Sequence, residues 1–144
     1  MIKLLALAVV LPLFAACAAP PPALLTPTCM HRDPAGEKSI GYCQAVRIGN
    51  DLYISGVTSS GPMERALPQV YDKLKSILEA NGLTFANVVK ENVYATDLDA
   101  FIKASSERKP YYGANLPAAT WVQVQRLFAA ALVLEVELIA HFPK

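Results

Sequence analysis

Leu132-Val133-Leu134-Glu135-Val136-Glu137-Leu138-Ile139-Ala140 alternates from end to end. One parity holds Leu132, Leu134, Val136, Leu138 and Ala140, all apolar; the other holds Val133, Glu135, Glu137 and Ile139. Successive side chains of a strand point to opposite faces, so a period of two reads as a strand with one buried face. The apolar parity suits a core beneath helices. The other parity mixes carboxylates with apolar groups. Such a face is either solvated or covered in an oligomer, and Val133 and Ile139 favour the oligomer.

Outward from this strand the chain alternates element types. Thr120 to Leu127, around Trp121, Val122 and Val124, reads as a strand. Before it, Leu98, Phe101 and Ile102 mark a helix that ends ahead of Pro110, with Thr96 and Asp99 resembling a capping box. Val88 to Thr96 is rich in β-branched and aromatic residues and reads as another strand. Leu67, Val70, Tyr71, Leu74, Ile77 and Leu78 repeat at the helical period over about Ala66 to Asn81, with Asn81-Gly82 as the stop. Pro68 is tolerated in the first turn only, which places that helix start late. Ala45-Val46-Arg47-Ile48, Gly49-Asn50-Asp51 and Leu52-Tyr53-Ile54-Ser55-Gly56 read as strand, turn, strand. Two strands, helix, strand, helix and two strands give an α+β fold, one sheet with both helices on one face.

The chain has 144 residues, enough for one domain and one core. Its 13 basic and 12 acidic residues include Lys3, which lies in the leader described next. Without the leader the balance is 12 against 12 and net zero. A nucleic-acid binder needs a basic face to neutralise phosphates, so no nucleic-acid partner is expected.

Lys3 precedes a charge-free apolar run, Leu4 to Phe14, of about 11 residues. A spanning helix needs about 20, so the run fits the core of a secretory signal. Leu13-Phe14-Ala15-Ala16-Cys17 resembles a lipoprotein cleavage box, in which Cys17 becomes the lipidated first residue. Ordinary cleavage after Ala18 is the competing reading. Pro20, Pro21, Pro22 and Pro27 make the following stretch a stiff tether. The expected organisation is a signal over residues 1–17, a tether over 18–37 and one domain over 38–144. The protein is then exported and held at the cell envelope through lipid on Cys17, or soluble outside the cytoplasm if the signal is cleaved conventionally.

Export leaves Cys29 and Cys43 in an oxidising compartment, where they either pair or remain two separate thiols. Cys29-x-His31-x-Asp33 carries metal-ligand types. With two histidines in the chain and Cys29 in a proline-bounded loop, no metal is expected.

Four segments carry a family resemblance: Ile40-Gly41-Tyr42-Cys43-Gln44-Ala45-Val46, Leu52-Tyr53-Ile54-Ser55-Gly56, Val88 through Leu98, and Val133-Leu134-Glu135-Val136-Glu137. In this order and spacing they resemble the RidA (YjgF) family, over about residues 38–141. The resemblance implies a chorismate-mutase-like fold, a homotrimer and clefts between subunits for small imino or keto acids. Active members hydrolyse 2-imino acids to 2-keto acids and ammonia without metal or organic cofactor. By position Glu135 corresponds to the family's water-activating Glu, Tyr42 to its cleft Tyr and Ser55 to its strand-end Ser.

The family's carboxylate-gripping Arg lies in a Pro-Ala-Arg-Ser-type stretch. Here that stretch is Pro117-Ala118-Ala119-Thr120, which puts Ala119 at the Arg position. An alanine offers no charge-assisted bidentate contact, a loss of several kcal/mol. Arg126 is expected not to rescue it: seven residues along a strand is about 23 Å, and the odd offset turns it to the other face. Trp121 near Ala119 is expected to make the cleft more apolar. The resemblance therefore implies a small-molecule binder whose classical deamination is lost or altered. The alternatives are an active deaminase using another cation, and a non-catalytic interaction module. Read without the family, Glu135, Tyr42 and Ser55 are ordinary strand residues.

Overall fold

The computed structural model describes residues 25–143. The signal with Cys17, and the tether over residues 18–24, therefore lie outside the described residues. Six strands form one sheet in the order β1-β2-β3-β6-β4-β5. They are β1 (Thr28–Met30), β2 (Ala45–Ile48), β3 (Asp51–Ser60), β4 (Val88–Ala95), β5 (Ala118–Gln123) and β6 (Leu132–His141). The helices are α1 (Pro34–Ile40), α2 (Met63–Ala80), α3 (Leu98–Ala104) and α4 (Lys109–Tyr112). All neighbouring strands pair antiparallel except β4 and β5, which are parallel. A parallel pair needs a crossover, and α3 and α4 supply it.

The β6 alternation holds. Leu134, Val136, Leu138 and Ala140 are buried under the helices together with Leu52, Ile54, Val93 and Ala95. From above, α2 adds Leu67, Val70, Tyr71, Leu74 and Leu78, each fully buried, and α3 adds Phe101. At roughly 1.5–3 kcal/mol per large apolar side chain, this layer dominates the folding free energy.

Several boundaries differ from the sequence reading. α2 starts at Met63, a turn early, with Pro68 inside it. Buried Met63, Ala66 and Leu67 dock that turn on the sheet and offset the hydrogen bond Pro68 cannot make. The cap of α3 is Asp97, which accepts from the Ala100 amide at 2.9 Å, not Thr96. β5 ends at Gln123, four residues short of the expected end.

The tether was expected to reach residue 37, yet β1 and α1 are ordered elements of the domain. Their organising group is Glu37. Its Oε1 accepts from the Arg32 and Asp33 amides at 2.9 and 2.8 Å; its Oε2 accepts from His31 Nδ1 and the Gln44 amide at 2.7 and 3.1 Å. Burial pushes the Glu37 carboxyl up, but these four donors outweigh it and hold it down at about 2. Among the described residues no helix is long and apolar enough to cross a membrane.

Candidate functional site

The sheet face away from the helices carries the carboxylates. β3 passes from Ile54 opposite Leu138 to Val57 opposite Val136, so Ser55 and Gly56 bulge opposite Glu137. The Glu135 side chain lies over this bulge. A Cβ on Gly56 would stand 1.8 Å from Glu135 Oε1, so glycine is required for the approach. Burial pushes the Glu135 carboxyl above its ordinary range, and the Glu137 charge adds to the shift. Glu137 Oε1 accepts from Asn92 Nδ2 at 2.7 Å and from the Tyr94 hydroxyl at 3.1 Å. Burial and that bond to Glu137 both raise the Tyr94 phenol.

Two hollows flank Glu137. One, of about 340 Å³, is lined by Tyr94, Val124, Arg126, Leu127, Glu135 and Glu137 among others. The second, of about 220 Å³, includes Tyr53, Ser55, Lys90, Asn92 and Glu137. Lys90 Nζ donates to Thr120 Oγ1 at 2.7 Å on the same face. A carboxyl held above its usual range can orient and deprotonate water, or return a proton to a leaving nitrogen.

Arg126 corrects the sequence reading. A separation of about 23 Å from Ala119 holds only for a straight strand through residue 126. Because β5 stops at Gln123, the chain turns after Val124, whose amide donates to Ala95 O at 2.9 Å. That turn carries Arg126 back to the rim of the Glu135 hollow. No periodicity in the sequence announces the turn. Asn92, Tyr94 and Glu137 were also overlooked as partners, although the i, i+2 spacing of the first two on a strand was a visible signal.

The other expected site residues sit elsewhere in the chain. Ser55 lines the smaller hollow, with its Oγ donating to Cys43 O at 2.7 Å. Tyr42 follows α1, is 42% exposed and lines neither hollow. Ala119 and Trp121 pair with Glu91 and Val93, which point into the helix-covered core. Trp121 therefore faces away from Glu135. Its ring meets Phe101 edge-on at 5.1 Å, and its Nε1 donates to Glu91 Oε1 at 3.0 Å. It does not add apolar surface to the Glu135 hollow. Ala119 is exposed on β5, the outermost strand.

Glu91 itself is fully buried and heavily bonded. Besides Trp121 it accepts from Arg108 Nη2 at 2.8 Å, from the Tyr71 hydroxyl at 2.9 Å and from the Tyr112 hydroxyl. Burial pulls the Arg108 guanidinium down, but the adjacent Glu91 charge more than reverses this, and its pKa is raised. Burial and the Glu91 charge push the Tyr71 and Tyr112 phenols up. This network ties β4 and β5 to α2 and α4, and it faces away from both hollows.

Near β1, Cys29 and Cys43 are joined in a disulfide with Cα atoms 5.6 Å apart. His31 lies beside it, whereas Asp33 turns away to cap α1 by accepting from the Gly36 amide.

The family described as Endoribonuclease L-PSP matches residues 34–142. A RutC family protein of Pyrococcus horikoshii is 35% identical over 114 residues, covering 72% of this chain and 90% of that one. A 2-iminobutanoate/2-iminopropanoate deaminase of Dermatophagoides farinae is 29% identical over 72% of this chain and 88% of its own. The crystal structure of a YjgF/YER057c/UK114 family member from Mycobacterium tuberculosis superposes with a TM-score of 0.73 at 27% identity, covering 81% of this chain and 99% of that one. The mixed sheet with its helices on one face is the chorismate-mutase-like α+β fold of these relatives. Sequence match and fold agree on one conclusion: this chain belongs to the RidA (YjgF) family.

Proposed function

We propose that this is an exported RidA-family protein that binds a small molecule at the Glu135 face, with classical 2-imino acid deamination lost or altered. The observation that carries this is the charge of the hollow. Its lining holds two carboxylates, Glu135 and Glu137, against one guanidinium, Arg126, while Ala119 stands at the family's Arg position. An acidic hollow disfavours a substrate carboxylate and suits a neutral or cationic imine, amine or carbonyl compound. The cleft is completed by further copies of the chain in a homotrimer. Support for that comes from Tyr53 and Val122, 44% and 38% exposed on strands of this sheet. No cofactor is required, because a carboxylate and water suffice for the hydrolysis.

One observation favours a second reading. Arg126 shares the hollow with Glu135, so an anionic imino acid has one cation available. In that reading Arg126 holds the carboxylate and Glu135 deprotonates the attacking water, which gives the activity named for the Dermatophagoides farinae relative. Generating 2-iminopropanoate with an amino-acid oxidase and following its decay separates the two. The first reading expects decay no faster than in buffer. Acceleration that disappears in both Glu135→Ala and Arg126→Ala establishes the second reading and removes the first.

Envelope anchoring rests on Leu13 to Cys17 and has its own test. The wild type is expected in the detergent phase after phase separation, and Cys17→Ala in the aqueous phase. Aqueous partitioning of both overturns the lipid anchor and leaves conventional signal cleavage.

A further inference from the structure

The disulfide corner contains more than a crosslink. Cys29 Sγ, Cys43 Sγ and a ring nitrogen of His31 all lie within 4.8 Å of one another. His31 Nε2 is 3.2 Å from Cys29 Sγ. The other ring nitrogen, Nδ1, is 2.7 Å from Glu37 Oε2. Glu37 is 3% exposed, and its oxygens already accept from three backbone amides. An acceptor so placed fixes the proton on Nδ1. Nε2 is then the ring nitrogen that faces the Cys29 sulfur, within reach of the pair. A carboxylate behind an imidazole, holding its tautomer and its orientation, is the arrangement that surrounds metal-bound histidines.

We propose that Cys29, His31 and Cys43 form a redox-gated site for a thiophilic d10 cation, Zn²⁺, closed in the disulfide form and opened by reduction. Two electrons from a thiol or phosphine reductant break the S–S bond and leave two thiols; a thiol reductant also gives the two protons and becomes its disulfide, whereas with a phosphine water gives both protons and the oxygen of the phosphine oxide. Binding Zn²⁺ then forms two Zn–S bonds and one Zn–N bond and releases both thiol protons to solvent. The fourth position is left to water. Zn–S bonds of about 2.3 Å place tetrahedral sulfurs about 3.8 Å apart. The sulfurs must therefore separate by roughly 2 Å. That movement is local, because Cys29 is exposed on β1, a three-residue strand at the sheet edge. A small-molecule disulfide reverses the process: it takes two electrons from the thiolates, is itself cleaved to two thiols with protons from solvent, and leaves the Cys29–Cys43 bond re-formed and the ion expelled. The site lies on different residues from the Glu135 hollow, so its fate is independent of the reading above.

The test uses the full chain carrying Cys17→Ser, so that the thiols in play are Cys29 and Cys43. Zn²⁺ is titrated against a chromophoric chelator, with and without a phosphine reductant. The expected result is one Zn²⁺ per reduced chain and none above background in the oxidised chain. Co²⁺ in place of Zn²⁺ should give a thiolate-to-metal charge-transfer band that about halves in Cys29→Ser. Glu37→Gln should weaken Zn²⁺ binding by roughly 10–100-fold through the loosened imidazole, and His31→Ala should weaken it at least as much. Because the reduced corner is free to loosen, amide exchange over residues 28–43 provides a second readout, slowed by Zn²⁺ in the reduced protein alone. Equal Zn²⁺ uptake by oxidised and reduced protein overturns the proposal. So does unchanged affinity in His31→Ala, or exchange that Zn²⁺ leaves untouched.

Discussion

Glu91→Ala lowers the unfolding free energy by roughly 3–5 kcal/mol, which for a domain of this size is a fall in Tm of about 10–20 °C. The carboxylate is fully buried and accepts from Arg108, Tyr71, Tyr112 and Trp121. Removing it strands a guanidinium sandwiched between two rings, its carbon 5.0 Å from the centroids of both Tyr112 and Trp121. Arg108 Nε already lacks a hydrogen-bond partner among the described residues, so Arg108 has no reserve. Two hydroxyls and an indole N–H lose their acceptor at the same time. The double variant Glu91→Leu with Arg108→Met should recover most of the loss, because a packed apolar pair avoids the uncompensated charge. Thermal and urea unfolding of the three proteins measures this. A loss under about 1 kcal/mol for Glu91→Ala means that the network does not hold the helix layer to the sheet.

Breaking the Cys29–Cys43 crosslink without metal has the next largest effect. The bridge joins residues 14 apart in sequence. In the chain-entropy account a loop of that size contributes about 3 kcal/mol, by restricting the unfolded chain. The double variant Cys29→Ser with Cys43→Ser should therefore unfold at lower urea, by about 3 kcal/mol on extrapolation to water. β1 and α1 are held to the body by the short β1–β2 ladder at the sheet edge, by this bridge and by Glu37, so with the bridge removed they should open first. Equal stability of the double variant and the oxidised wild type would falsify the crosslink as a stabilising element.

The sheet was legible wherever a strand is buried on one face. β6 shows its period because each parity meets a different environment. β1 and α1 were not legible, since prolines at 27 and 34 read as tether. Their order comes from Glu37 reaching four donors scattered over residues 31–44, which no local pattern encodes. Glu135 could be placed by family position and period together. Arg126 could not, because its position depends on where β5 ends, and that end is set by tertiary contacts. Trp121 was misplaced for a related reason. Its neighbours in sequence suggest a cleft, but its register with Val93 turns it toward the core, where Glu91 offers its N–H an acceptor.

The outermost position of β5 has a consequence for handling and for evolution. Ala118-Ala119-Thr120-Trp121-Val122-Gln123 contains no charged residue, and among the described residues one side of its backbone has no strand beside it. Lysines and prolines are common guards of such a seam against stacking into fibres, and neither stands within it. A lone copy thus offers a template on which other copies can nucleate. Any substitution that adds apolar, uncharged length to this seam trades shelf life for whatever else it gains.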